Sequence, residues 1–270
     1  MTCILQISDP HFGTEQPQVM HALLRLAREQ KPEVILLSGD ITQRARRAQF
    51  AAAREFVTQL PAPVLAVPGN HDIPLFNLFA RVFSPYGNYK RAFGSELEPV
   101  YESEGLLVLC LNTSRPSRHT DGAVSRAQIE RVANRLGQAR PEQLRVVMQH
   151  HPVRAREQSD LTNLLIGHEK AVPRWVDAGL DLLVGGHIHL PYVWPLHGQH
   201  GAKGRLGWTA QAGTALSSRV RGGIPNSVNL IRHTCEHGRH SCHVERWDYL
   251  AEEDLFMPAH TNTLVISRNG

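Results

Sequence analysis

The sequence predicts an α/β fold, and three observations carry that expectation. Runs rich in Val, Ile and Leu recur through the first two thirds of the chain: CILQIS, EVILLSG, PVLAVPG, LLVLCLN, LRVVMQ and LDLLVGG. They are continuous rather than alternating, the pattern of strands covered on both faces. Segments with helical periodicity separate them, so strand and helix alternate. The composition agrees, since 41% of the 270 residues are hydrophobic, enough to bury a substantial core.

Each element follows in order. CILQIS is the first strand, and PQVMHALLRLAREQ after it places Val19, Leu23, Leu26 and Ala27 near one helical face. EVILLSG is followed by RRAQFAAAREFVTQL, which does the same with Phe50, Ala53, Phe56 and Val57. Residues 73–100 break the rhythm: they are aromatic, punctuated by Pro and Gly, and follow PGNHD directly, so short helices packed beside that motif are expected, with the aromatics as core. SRAQIERVANRLGQ opens with Ser125 and Gln128 in capping-box spacing and lines up Ile129, Val132 and Leu136.

The last third has shorter strands and more turns. SVNLIRHTCEHGRHSCHVERWDY predicts a C-terminal β-hairpin over about 227–249, turning at Gly238-Arg239 in the type II′ manner. That register sets Arg232 opposite Glu245, Leu230 opposite Trp247 and Cys235 opposite Cys242. A zinc site from Cys235, His237, His240 and Cys242 would lack a recognised spacing. No repeat or linker divides the chain, so residues 1–270 are expected to form a single domain with an insertion at about 73–100.

Composition excludes several classes. No stretch approaches the ~18 apolar residues of a membrane span, and MTCILQISD enters an apolar strand without a basic leader. A cytoplasmic protein without a membrane partner is therefore expected. Four cysteines are too few for a disulfide scaffold. A net charge of +4, scattered along the chain, favours anionic substrates without singling out nucleic acid, which is not the expected partner. Homodimerisation is left open.

Chemistry enters at the strand ends. QISDPH ends in Asp9 and His11, LLSGD in Asp40, AVPGNHD in Asn70, His71 and Asp72, VMQHHP in His150 and His151, and LVGGHIH in His187 and His189. Singly, Asp9 and Asp40 could cap helices and Asn70 could close a turn. Repetition over five strands points instead to ligands gathered where strands in an α/β sheet deliver them. Asp9, His11, Asp40, Asn70, His150, His187 and His189 are too many donors for one ion but suit two if a carboxylate bridges. Gly39, Gly69 and Gly186 directly precede Asp40, Asn70 and His187, where a sharp turn would aim the next side chain inward.

These motifs, DPH, SGD, PGNHD, HHP and GHIH in that order over residues 9–189, resemble the calcineurin-like metallophosphoesterases. AGTALSSRVRGGIPNSVNLIR is similar to the bacterial class III cyclic-nucleotide phosphodiesterase branch. The resemblance implies a four-layer αββα sandwich with a dinuclear centre. It places Asp9, His11, Asp40 and His189 around one metal and Asp40, Asn70, His150 and His187 around the other, with Asp40 as the bridge.

Two cations about 3.5–4 Å apart bind a phosphate ester and generate a hydroxide that attacks phosphorus in line. His71 is the expected proton donor to the leaving alkoxide, with Asp72 orienting it or raising its basicity. Asp72 and His151 also admit purely structural roles. Four imidazoles mixed with oxygen donors suit divalent or mixed-valence Mn, Fe, Zn or Co. Asn112, Arg219 and Arg221 are candidate substrate contacts. The expected substrate is a small-molecule phosphodiester, cyclic nucleotides first, with glycerophosphodiesterase or phosphomonoesterase activity as alternatives. A scaffold that has lost catalysis should show broken motifs, and here none is broken.

Overall fold

The computed structural model describes residues 1–268. In chain order the elements are β1 (Thr2–Ile7), α1 (Pro17–Gln30), β2 (Val34–Leu37), α2 (Arg47–Thr58), β3 (Val64–Ala66), α3 (Leu78–Phe83), α4 (Gly87–Phe93), β4 (Val100–Glu102) and β5 (Leu106–Cys110). They continue as α5 (Arg126–Gly137), β6 (Leu144–Met148), α6 (His168–Asp177), β7 (Leu182–Gly185), β8 (Tyr192–His197), β9 (Leu206–Gln211), β10 (Ser227–Glu236), β11 (Arg239–Leu250) and β12 (Leu255–Leu264).

Two six-stranded sheets form, in the orders β12-β11-β10-β1-β2-β3 and β4-β5-β6-β7-β9-β8. Neighbouring side chains on a strand point to opposite faces. Ile4, Val34 and Leu36 of the first sheet therefore meet Val108, Val146 and Val184 of the second. The alternate positions Leu5, Ile7, Ile35 and Leu37 pack outward against Leu23 of α1 and Phe50 and Phe56 of α2. On the far side Leu107, Leu109, Val147 and Leu183 pack on Ile129 and Leu136 of α5 and Trp175 of α6. The layers run helix, sheet, sheet, helix, the αββα sandwich expected. Burial on both faces is the reason the runs had no polar alternation. Among the described residues no helix is long and apolar enough to cross a membrane.

Helix ends follow local chemistry. Ser125 Oγ accepts from Gln128 N at 3.2 Å while Gln128 Oε1 accepts from Ser125 N at 3.0 Å, the reciprocal cap expected. In the 73–100 segment Tyr89 is buried and packs edge-on against Phe50, at 6.2 Å between centroids. Phe76, Phe79 and Phe83 instead stand 72–80% exposed, so only part of that aromatic cluster is core.

The C-terminal hairpin forms in a different register. Its turn residues are His237 and Gly238, with φ of 51° and 77°, which suits a type I′ turn and its two positive φ values. Arg232 stands opposite His243, Leu230 opposite Glu245 and Cys235 opposite His240. The shift is two residues, so every side chain keeps its expected face, and alternation alone could not separate the two registers. Arg232 still reaches Glu245, diagonally, with Nε 3.0 Å from Oε1. A third strand, β12, adds to this hairpin as an exposed edge with Pro258 at its irregularity; a proline inside LFMPAHTNTL argues against a strand in the sequence alone.

Candidate metal centre

Both sheets deliver side chains to one point. The segments leaving β1 and β2 run side by side, with Asp9 N donating to Gly39 O at 3.2 Å and His11 N to Asp40 O at 3.1 Å. Asn70 and His71 follow β3 in a 3₁₀ turn. From the other sheet, Gly186 N donates to His150 O at 2.9 Å, setting the exits of β6 and β7 together. His187 N then crosses to both carboxylate oxygens of Asp9 at 3.1 Å and ties the sheets to each other.

The backbone here is strained. Asp9, His11, Asp40, His187 and His189 have φ of 49°, 44°, 46°, 76° and 55°, a left-handed conformation that non-glycine residues rarely adopt. Such outliers persist only where surrounding structure over-determines them, and they concentrate at functional sites. Glycines act differently from the simple turn expected. Gly39 does have φ +94°, whereas at Gly186 proximity decides: a Cβ would lie 2.0 Å from Ser8 Oγ and 2.2 Å from Asp9 Oδ2.

The donor atoms form two groups. His11 Nε2 lies 3.0 Å from His189 Nε2 and 3.7 Å from Asp40 Oδ2, and His189 Nε2 lies 3.4 Å from Asp9 Oδ1. Across Asp40, His150 Nε2 lies 3.3 Å from Oδ1 and 3.3 Å from Asn70 Oδ1. His187 Nδ1 lies 3.1 Å from Asn70 Oδ1 and 3.3 Å from His150 Nε2. Asp40 thus turns one oxygen to each group. Atoms bound about 2.1 Å from a shared ion stand about 3.0–3.4 Å apart in octahedral or tetrahedral arrangement, close to these separations.

Hydrogen bonds set the rings. His189 Nδ1 donates to Arg219 O at 2.8 Å and His150 Nδ1 to Ser38 O at 3.0 Å, aiming both Nε2 atoms inward. Burial pulls the His11 imidazole down to about 3 against the attraction of Asp40 and Asp9. Burial and His150 take His187 to about 4. Burial opposes ionisation of Asp40, but His150 and His71 hold its carboxyl well below the usual range. At His150, burial is outweighed by Asp40 and Asp9, which raise it to about 9, so a cation there competes with a proton. The donor set fits two cations.

His151 also comes within 4.8 Å of the His150 and His187 donors. Both its nitrogens are engaged, Nδ1 with Thr113 Oγ1 at 2.8 Å and Nε2 with Thr120 O at 2.9 Å, so Asn70 is the better fourth donor beside Asp40, His150 and His187.

His71 stands beside the cluster, its Nδ1 donating to Gln43 O at 2.9 Å and its ring 5.0 Å from that of His11. The carboxylate of Asp72 does not touch it, contrary to expectation. Asp72 accepts from Ile41 N, Thr42 N, Thr42 Oγ1 and Gly69 N at 2.8–3.0 Å, which binds the loop after β2 to the loop after β3. Burial and Asp40 push its carboxyl up to about 6 despite those bonds.

The substrate candidates separate. Arg219 reaches the cluster: its Nη1 lies 3.4 Å from the His11 ring nitrogens, 3.5 Å from His71 Nε2 and 3.2 Å from Gln43 Oε1. Arg221 is instead held by Asp160 Oδ1 at 2.9 Å and Ile188 O at 3.0 Å. Asn112 is buried in its own turn, its Oδ1 accepting from Ser114 N at 3.0 Å. These two corrections share a cause, since a nearby partner takes up each side chain. Sequence reading overlooked Gln43 and Arg81, which line a cleft with His71; GDITQ offered Gln43 only as an ordinary loop residue.

The profile of the family described as calcineurin-like phosphoesterase matches residues 3–191. A Synechococcus sp. protein described as a probable cyclic nucleotide phosphodiesterase is 27% identical over 203 residues, 70% of this chain and 74% of that protein. An Arcobacter nitrofigilis protein described as a probable glycerophosphodiester phosphodiesterase is 24% identical over 199 residues, 69% of this chain and 71% of that one. Among solved structures, a purple acid phosphatase from yellow lupin seeds superposes with a TM-score of 0.67 at 11% identity, a likeness of fold alone. It covers 96% of this chain, which spans about half of the lupin protein, 53%.

Proposed function

The chain belongs to the calcineurin-like phosphoesterase family, a family of metal-dependent hydrolases, and on that premise we propose a two-metal phosphodiesterase for small-molecule phosphodiesters, cyclic nucleotides foremost. The observation that carries this reading is the division of seven donors into two groups about the Asp40 carboxylate, Oδ2 toward His11 and Oδ1 toward His150. Manganese, iron, zinc and cobalt all suit such a mixture of imidazole and oxygen. Bound there, the pair supplies positive charge for phosphoryl oxygens and acidifies water to give the nucleophile.

The chain's own residues do the rest. Asp9, His11 and His189 hold one side of the cluster; Asn70, His150 and His187 hold the other. The Arg219 guanidinium, on an exposed side chain beside His11, takes an equatorial phosphoryl oxygen and steadies charge that builds toward the transition state. As the imidazolium, with Nδ1–H kept on Gln43 O, His71 gives its Nε2 proton to the leaving group and is left as the neutral ring. The cleft beside His71, lined by Gln43, Arg44, Ile73 and Leu75, borders the position of the leaving group.

Glycerophosphodiesters are the second reading, favoured by the similarity to the Arcobacter nitrofigilis protein. Turnover of cyclic AMP, glycerophosphodiesters, bis-nitrophenyl phosphate and nitrophenyl phosphate by the manganese-loaded protein tests the assignment. The diesters should be hydrolysed faster. A nitrophenyl phosphate rate equal to or above every diester rate would reverse it.

A further inference from the structure

A cavity of about 330 Å³ opens at the edge of the sandwich where β8 and β9 of one sheet face β11 and β12 of the other, and it has no part in the metal cluster. Its size is within the range of small-molecule sites. Pro191, Tyr192 and Val193 supply one wall, and Arg156, Arg246 and His260 bring cationic or protonatable groups to it. Arg246 Nε forms an ion pair with Asp248 Oδ1 at 3.0 Å, which leaves the rest of its guanidinium for the cavity. Gln211, 1% exposed, lines the same cavity with a buried Oε1 that has no hydrogen-bond partner among the described residues. Buried polar atoms in native proteins are nearly always satisfied, so a buried acceptor left open at a cavity lined by cationic side chains points to a polar ligand there.

A polar chain leaves this cavity toward the metal cluster. Asn229 on the cavity wall donates through Nδ2 to Gln6 Oε1 at 2.9 Å. Gln6 Nε2 donates to Ser38 Oγ at 3.2 Å, Ser38 Oγ to Ser8 Oγ at 2.9 Å, and Ser8 Oγ to Asp9 Oδ2 at 2.6 Å. All four bonds point the same way, and Asn229, Gln6, Ser38, Ser8 and Asp9 are all buried between the sheets. Aligned bonds in a low-dielectric interior polarise one another. A ligand that reorients the Asn229 amide therefore alters the hydrogen bonding of a carboxylate at the cluster.

We propose that this edge cavity is a second binding site, for a small organic anion bearing a phosphate or carboxylate and a hydrogen-bond donor, coupled to the metal cluster through Asn229, Gln6, Ser38 and Ser8. Arg246 takes the anionic group, His260 and Arg156 flank it, and the ligand's donor meets Gln211 Oε1. The site is independent of which phosphoester is hydrolysed.

Calorimetric titration of the manganese-loaded protein with AMP, citrate, inorganic phosphate and neutral adenosine tests the site without reference to turnover. AMP or citrate should show a saturable component that weakens at least tenfold in Arg246→Gln, while adenosine shows none. Turnover of bis-nitrophenyl phosphate tests the coupling. The same anion should change kcat or KM of the wild type beyond its effect on Arg246→Gln, whose basal rate stays the same. Should Arg246→Gln not fold, Arg156→Ala and His260→Ala, both at exposed positions, replace it with the same expected outcome. Absence of any variant-sensitive binding by the anions overturns the site. Variant-sensitive binding that leaves turnover untouched overturns the coupling.

Discussion

Arg219 Nη1 lies 3.5 Å from His71 Nε2, so a side chain that follows β9 and one that follows β3 converge on the same face of the cluster. One can meet a phosphoryl oxygen while the other meets the leaving group. Arg219→Ala should cut turnover by about 100-fold, the usual scale for removing one charged stabiliser of a transition state. Metal content should not change. An unaltered kcat would show that the guanidinium only fills space beside His11.

His71→Ala removes the proposed proton donor. Turnover should fall by about 100-fold or more on a substrate with an alkoxide leaving group such as cyclic AMP. The loss should be distinctly smaller on bis-nitrophenyl phosphate, because nitrophenolate departs without help. Equal losses on both would assign His71 to positioning rather than to proton transfer.

Asp40 turns one oxygen to each donor group, so its removal should affect both at once. Elemental analysis of Asp40→Ala should find far less than the about two ions per chain expected of a two-metal site. Retention of both ions would refute its bridging place.

Asp72 accepts four hydrogen bonds that join the loops carrying Asp40 and Asn70. Asp72→Asn sets an NH2 group against backbone donors and leaves a buried group unpaired, which costs about 1–3 kcal/mol. Urea unfolding should register that loss. A variant as stable as the wild type would mean the loops hold together by other contacts.

His233 on β10 faces His240 on β11, with Nε2 2.9 Å from Nδ1 and the rings stacked 5.1 Å apart. Burial, then His240, lowers His233 to about 4, with Arg268 acting in the same direction and Asp181 against it. An unfolded histidine titrates near ~6.5, so between that pH and about 4 the unfolded chain binds a proton that the folded chain refuses. Stability is therefore fully present above ~6.5 and falls as pH drops toward 4. The urea midpoint should decline over that window, and the decline should be shallower in His233→Gln. Parallel curves would remove His233 as the cause.

Much of the centre was legible because residue type and strand position are local properties. Asp9, His11, Asp40, Asn70, His150, His187 and His189 follow apolar runs, and a parallel arrangement brings such positions together wherever the strands lie. The capping box at Ser125 was equally local. What could not be read depends on partners distant in sequence. Asp72 looked like a companion of His71 because it is adjacent, yet its oxygens are taken by backbone donors some thirty residues away, at Ile41 and Thr42. Arg219 and Arg221 were indistinguishable as loop arginines until Asp160 claimed one of them.

The sequence by itself determined which donors exist, the alternation of helix and strand, and the face each hairpin side chain takes, since these follow from short-range periodicity and residue chemistry. Only the tertiary structure decided the division of the donors between two facing sheets, the two-residue shift of the hairpin, and the buried chain from Asn229 to Asp9. The division of the donors and the buried chain depend on distances between segments far apart along the chain, the hairpin shift on which two residues make its turn, and periodicity carries no information about either.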